Sequence, residues 1–169
     1  LELGDVDSIA PYLHVEIYRA GAEIRTFADP RSVVADSAAA LGPDELRRAD
    51  QDLVTKFGPL TIFFFSAAKG TPRQCLAYVR AFEDPRLQLS GWFCQGRSGF
   101  IQQSTLACAL DRLTLLAAGS EPKVGVLFAQ AERNRSFCGQ RDPILAATPK
   151  YHLLWKALAS RPKPRRIGR

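Results

Sequence analysis

The stretch Leu60-Thr61-Ile62-Phe63-Phe64-Phe65-Ser66 decides the fold, because it is apolar on both faces when written as a strand. A strand with one face in water alternates apolar and polar residues, whereas a strand covered on both faces reads as a nearly continuous apolar run. The stretch therefore predicts the central strand of a sheet, with other elements packed on both of its faces.

Alternating apolar residues predict three further strands around this one. Tyr12–Arg19 places Leu13, Val15 and Ile17 at every second position. After a turn at Ala20-Gly21, Ala22–Phe27 is predicted as its partner strand, and Arg86–Gln95 alternates in the same way.

Helices are predicted where a proline follows a capping residue or a glycine, or where apolar residues recur at helical spacing. The predicted helices are Pro30–Leu41, Pro43–Phe57, Pro72–Phe82, Phe100–Ala118, Pro122–Arg135 and Pro149–Ala159. The resulting order, β-β-α-α-β-α-β-α-α-α, favours an α+β fold. We expect a small, mostly antiparallel sheet of about four strands packed with helices, and a C-terminal half that is mainly helical.

The length of 169 residues fits one domain, which we place at residues 1–160, followed by a basic, proline-containing tail at residues 161–169. No apolar run approaches the ~20 residues of a membrane-spanning helix. The chain has no methionine and begins with Leu1. A removed secretory leader would explain this start, and a trimmed cytosolic chain is the alternative.

The net charge of +6 is distributed unevenly along the chain. Residues 1–85 contain 9 Lys/Arg and 13 Asp/Glu, whereas residues 86–169 contain 14 Lys/Arg and 4 Asp/Glu. A strongly basic half favours an acidic partner or an anionic surface, although a solvated basic face would give the same count.

The four cysteines have spacings of 19, 14 and 30 residues, which match no zinc-binding pattern. They are either buried thiols of a cytosolic protein or two disulfides of an exported one. For the second case we favour Cys75–Cys94 with Cys108–Cys138, and Cys94–Cys138 with two free thiols remains an alternative. The even count favours a periplasmic or secreted protein over a cytoplasmic one.

A small cysteine or serine hydrolase is one alternative function. Cys94-Gln95-Gly96 slightly resembles the nucleophile segment of caspases, but His14 lies eighty residues upstream rather than about fifty. His152 is expected to face partly outward on its helix. No serine stands in a G-x-S-x-G segment, and no cofactor or metal site is predicted.

Two segments are predicted to contact anions. Arg97, Ser98 and Gly99 precede a predicted helix, whose first N–H groups could hold an anion. The tail offers Arg161, Lys163, Arg165, Arg166 and Arg169 for binding a partner. We therefore expect a non-catalytic exported interaction protein that contacts an acidic protein through its basic C-terminal half. A nucleic-acid-binding module is the other alternative, and it would use Arg97, Arg133, Arg135, Arg141 and the tail.

Overall fold

The computed structural model describes residues 1–5, 8, 10–21, 26–69, 72–96, 100–116, 118–119, 121–136 and 138. The strands are β1 (Glu2–Leu3), β2 (Tyr12–Arg19), β3 (Arg47–Arg48), β4 (Leu53–Thr55), β5 (Gly58–Ala67), β6 (Arg73–Phe82) and β7 (Leu87–Cys94). The helices are α1 (Pro30–Ala38), which continues into a 3₁₀ turn at Ala39–Leu41, α2 (Gln103–Asp111) and α3 (Pro122–Arg133).

All strand pairs of the sheet are antiparallel, and the strand order is β1-β2-β7-β6-β5-β3. Strands β5, β6 and β7 form a meander, and β2 returns to lie beside β7. Two short strands pair with β5. Strand β3 pairs with Phe63–Phe64 of β5, and strand β4 pairs with Gly58–Leu60. The chain from residue 47 to residue 55 therefore forms the edge of the sheet next to β5.

Helices cover both faces of the sheet, so the core has two halves. On one face Val34 and Ala38 of α1 pack with residues such as Phe63, Ala77 and Trp92. On the other face α2 and α3 pack on a larger set: Leu13, Val15, Leu60, Ile62, Leu76, Tyr78, Leu89 and Phe93. The apolar run Leu60–Ser66 is covered on both faces for this reason, as predicted.

A glycine on β7 allows a buried hydroxyl to link β6 to β2 across that strand. Tyr78 on β6 is fully buried, and its hydroxyl donates to the carbonyl oxygen of His14 at 2.9 Å. Gly91 on β7 lies between them with φ at +150°. A Cβ at this position would stand 2.1 Å from the His14 oxygen and 2.8 Å from the Tyr78 hydroxyl. Only glycine fits here without moving the backbone.

The predicted fold, α+β with about four strands and a mainly helical C-terminal half, is wrong in both respects. The sheet has seven strands, and the helices are short, at 9, 9 and 12 residues. Two predicted helices are strands. Within the described part of residues 86–138 there is one strand and two helices, and the predicted helix Pro149–Ala159 lies outside the described residues.

The helix predicted over Pro43–Phe57 is wrong because its helical spacing is overridden by pairing with β5. The N–H groups of Asp44 and Ala49 donate to Ser66 and Ile62 carbonyls at 3.1 and 3.0 Å. The Asp44 carboxylate accepts a hydrogen bond from the Ser66 N–H at 2.7 Å. This hydrogen bond lowers the pKa of the Asp44 carboxyl. Without these partners β5 would present unpaired backbone groups along this edge.

The helix predicted over Pro72–Phe82 is strand β6, which lies between β5 and β7. Cys75 to Val79 is buried at five consecutive positions, as expected for a strand covered on both faces rather than for a helix with one apolar stripe. Thus β6 and β7 are the central strands, and β5 lies next to the edge instead of at the centre.

Other predicted elements are confirmed. Tyr12–Arg19 is a strand with the predicted bounds, and Arg86–Gln95 contains β7. Asp29 caps α1 by accepting from the N–H groups of Arg31 and Ser32, and Gly42 ends the following turn in the left-handed conformation. Of the predicted partner strand Ala22–Phe27, residues 22–25 lie outside the described residues.

No helix in the described ranges is both long and apolar enough to cross a bilayer.

Candidate interaction surface

The structure contains two disulfides, Cys75–Cys94 and Cys108–Cys138, which is the pairing that the sequence analysis favours. The first joins directly opposite residues of β6 and β7, with Cα atoms 4.1 Å apart. The second joins α2 to a residue that follows α3. Among the described residues no cysteine is free.

The predicted cysteine nucleophile is not available, because the Cys94 sulfur is bonded to Cys75 and buried. His14 stacks on Trp92 with ring centroids 5.4 Å apart, and Tyr12 stacks on the same indole at 4.9 Å. The nearest carboxylate oxygen to His14 Nδ1 belongs to Glu2, at 3.5 Å. Burial and a hydrogen bond with Glu2 raise the pKa of Tyr12 to about 12. His14 therefore belongs to an aromatic stack on the α1 side of the sheet.

The predicted anion-, partner- and nucleic-acid-binding residues that lie outside the described residues are Arg97, Ser98, Gly99, Arg141, Arg161, Lys163, Arg165, Arg166 and Arg169. His152, which is expected to face partly outward, lies outside them too. Their roles stay predictions. Of the two described members of the nucleic-acid set, Arg133 is exposed on α3. Arg135 instead binds Glu132 at 3.1 Å and lies 3.6 Å from a carboxylate oxygen of Asp111.

Three exposed arginines lie at the β3 side of the sheet, on its two faces, and we name Arg31, Arg47 and Arg48 the arginine edge. Because directly opposite residues of paired strands share a face, Arg47 lies with Phe64 and Arg48 lies with Phe63 on the other face. The guanidinium carbon of Arg47 is 5.6 Å from the Phe64 ring centroid. The guanidinium of Arg31, from the first turn of α1, lies 5.9 Å from the Phe63 centroid.

Each face of this edge has a shallow cleft. The cleft on the α2 side has a volume of about 470 Å³, and its lining includes Arg47, Arg48, Asp50, Phe64 and Gln103. Gln103 is the first residue of α2, and no side chain caps that helix. Uncapped N–H groups at a helix start favour an anion, so they add to the positive potential of the two arginines.

The cleft on the α1 side has a volume of about 260 Å³ and is lined by Asp29, Pro30, Arg31, Arg48 and Phe63. Here Asp29 already accepts from the first N–H groups of α1, at 3.0 and 3.3 Å. Because Asp29 already accepts from these N–H groups, the second cleft offers an anion fewer free donors than the first.

Three cations outside the arginine edge contrast with it, because each forms a close ion pair with a carboxylate. Elsewhere, ion pairs join Arg19 to Glu121, Lys56 to Glu132 and Lys123 to Asp84. Within the described residues Arg31 and Arg47 make no ion pair, and Arg48 has only Asp52, at 3.8 Å. Arg31 and Arg47 are therefore exposed side chains without a carboxylate at ion-pair distance among the described residues.

No protein-family model, curated protein or solved structure matches this chain. Its function is therefore inferred from its own residues.

Sequence patterns do not reveal the arginine edge, because Arg47 and Arg48 fall within the helix predicted over Pro43–Phe57. On a helix, adjacent arginines would lie on the solvent side and far from Phe63 and Phe64. The only local signal is the Arg-Arg pair between buried Leu46 and half-buried Ala49. That signal becomes informative only when the pairing with β5 is known.

Proposed function

We propose that this protein is a non-catalytic interaction protein, working outside the cytoplasm, that binds an acidic segment of a partner protein. It does so through the arginine edge and through the basic residues of its C-terminal segment, residues 141–169. The observation that carries the proposal is the arginine edge, where Arg47 and Arg48 line one cleft and Arg31 and Arg48 line the other, with a single ion pair, from Arg48 to Asp52.

The geometry of the edge suits carboxylates. A guanidinium presents five donors in a plane and binds a carboxylate through two parallel hydrogen bonds. The rings of Phe63 and Phe64 hold the Arg31 and Arg47 guanidinium groups in place. Such stacking reduces the conformational freedom lost on binding and leaves the guanidinium edges available to a ligand.

The distribution of charge supports a contribution from the C-terminal segment. The described residues contain 13 Lys/Arg and 14 Asp/Glu, so they are close to neutral. Residues 141–169 contain eight Lys/Arg and a single acidic residue, Asp142. A concentrated positive charge attracts an acidic partner over about a Debye length and speeds association.

The two disulfides support the proposed location. Disulfides persist in oxidising compartments such as the periplasm and the extracellular space, and they are rare in the cytosol. Both are compatible with a protein that acts after export.

The proposal is tested by titrating fluorescently labelled polyglutamate with the full chain and measuring anisotropy. We expect Arg47→Glu/Arg48→Glu to weaken binding by about tenfold or more, since it replaces attraction with repulsion at the edge. Replacing Arg161, Lys163, Arg165, Arg166 and Arg169 by Gln in the full chain is expected to weaken binding several-fold. The matched control is Arg133→Glu, which reverses an exposed charge on α3 and is expected to change affinity by less than about threefold.

Equal losses in the edge variant and in Arg133→Glu would contradict a specific role for the edge. The same titration with a random DNA duplex tests the nucleic-acid alternative. Tight, salt-sensitive binding to the duplex with none to polyglutamate would replace the proposed partner by nucleic acid.

A further inference from the structure

The two disulfides differ sharply in their access to solvent. Cys75 and Cys94 lie inside the sheet under α1 and are 0% and 1% exposed. Cys138 is exposed, and its partner Cys108 on α2 is half-buried. Thiol–disulfide exchange requires a thiolate to reach a sulfur, so a thiol in solution meets only the second bond in the folded protein.

The surroundings of Cys138 favour exchange without unfolding. The Ser136 hydroxyl lies 3.3 Å from the Cys138 sulfur, where it can donate to a thiolate. The Ser136 N–H donates to the buried Asp111 carboxylate at 2.9 Å. This backbone contact holds Ser136 at the end of α2 independently of the disulfide bond.

We propose that the Cys108–Cys138 bond is a modification site that takes a low-molecular-weight thiol as a mixed disulfide. The thiolate of the small thiol attacks the exposed Cys138 sulfur, the Cys108–Cys138 bond breaks, and Cys108 leaves as a thiolate that takes a proton from water. A second small thiolate then attacks the outer sulfur of the adduct and releases Cys138 as a thiolate. Two small thiols become one small disulfide, and the protein gains two thiols.

Ser136 acts in the second of these steps. Its hydroxyl donates to the sulfur that leaves, and a stabilised thiolate leaves faster. Ser136 does not contact the sulfur that leaves in the first step, which is that of Cys108.

The test exposes the native full chain to reduced glutathione, quenches samples with iodoacetamide and maps the modified cysteines by mass spectrometry. We expect glutathione on Cys138 and alkylation of Cys108 at least about tenfold faster than any change at Cys75 or Cys94, with unchanged far-UV circular dichroism. Equal rates at all four cysteines, or reaction only in urea, would overturn the proposal.

Ser136→Ala sharpens the test, because it leaves both disulfides in place. It is expected to leave the rate of adduct formation within about twofold and to slow release of glutathione from Cys138 several-fold. If the variant slows neither step, the role of Ser136 is wrong. Because the readout is covalent chemistry, a failed polyglutamate titration does not affect it.

Discussion

Lys56 and the arginine edge use positive charge in opposite ways. The Lys56 side chain, in the β4–β5 turn, is fully buried. Its ammonium donates to the Leu113 carbonyl and to Glu132 at 2.6 Å, and it lies 5.2 Å from the Phe57 ring centroid. Arg47 also lies over a phenylalanine, but it is exposed and makes no ion pair among the described residues.

The difference shows where stability and binding come from in this chain. A buried ammonium costs several kcal/mol to desolvate, so it is tolerated only when its donors are satisfied inside the protein. Lys56 satisfies that condition and connects the hairpin to α3. An exposed guanidinium without a carboxylate adds little to stability and keeps its donors for a partner. We therefore expect changes at Lys56 to alter unfolding and changes at the edge to alter binding.

The largest expected effect is on stability at Lys56. Lys56→Ala leaves the Leu113 carbonyl and the Glu132 carboxylate without their partner and opens a cavity in the turn. Breaking a buried ion pair costs about 3–5 kcal/mol, and because Glu132 is partly solvated we expect about 3 kcal/mol. Urea unfolding at pH 7 measures this loss. Lys69→Ala, at an exposed site, should change stability by less than about 0.5 kcal/mol, and equal losses in both variants would contradict the comparison.

The Lys56–Glu132 pair also makes stability depend on pH. The hydrogen bond from Lys56 holds the pKa of the Glu132 carboxyl below its ordinary value of 4.5. A lowered folded-state pKa contributes stability above the unfolded-state pKa, and this contribution is lost as the pH falls through the folded-state pKa. Because water screens a Glu132 side chain that is 36% exposed, Glu132→Gln should cost only about 1 kcal/mol at pH 7 and progressively less below pH 4.5. A cost that is constant between pH 7 and pH 3 would show that the ion pair is not its source.

A smaller effect is expected from Arg47→Lys, which keeps the charge but loses the planar group over Phe64. The stacking of an exposed cation on an aromatic ring is worth about 0.5–1 kcal/mol, so polyglutamate affinity should fall about two- to fivefold. Anisotropy titration measures the affinity for polyglutamate, and an unchanged free energy of unfolding shows that the variant is folded like the wild type. If Arg47→Lys binds polyglutamate as tightly as the wild type, charge alone explains binding at the arginine edge.

The smallest effect is expected at Asp52, the acidic neighbour of Arg48 at 3.8 Å. Asp52→Asn removes a competing carboxylate from the edge, so polyglutamate affinity should rise about twofold while stability changes by less than about 0.5 kcal/mol. A fall in affinity would mean that Asp52 positions Arg48 for binding instead of competing with the ligand.

The sequence predicts the parts of this fold that depend on local signals. Asp29-Pro30 starts α1 and Gly42 ends the turn that follows it, and the alternation in Tyr12–Arg19 gives a strand with the right bounds. The segments Pro43–Phe57 and Pro72–Phe82 fail for a common reason. Their apolar residues fit helical spacing as well as strand pairing, and the choice is made by β5, whose two edges both require hydrogen-bonded neighbours.

The candidate site is harder to predict than the fold. The register of β3 on β5 places Arg47 beside Phe64 and Arg48 beside Phe63. Arg31 lies on α1, sixteen residues before Arg47 in the chain. Such a non-local arrangement has no sequence spacing to reveal it. The segments that the sequence does single out, residues 97–99 and 161–169, lie outside the described residues.

The salt dependence of polyglutamate binding tests the central claim most directly, by comparing wild-type protein with Arg31→Ala/Arg47→Ala/Arg48→Ala. Each cation that contacts a polyanion releases counterions and steepens the plot of log affinity against log salt concentration. We predict a distinctly shallower slope for the triple variant, at an unfolding free energy within about 1 kcal/mol of wild type. An unchanged slope and affinity in the folded variant would show that the arginine edge does not contact acidic ligands.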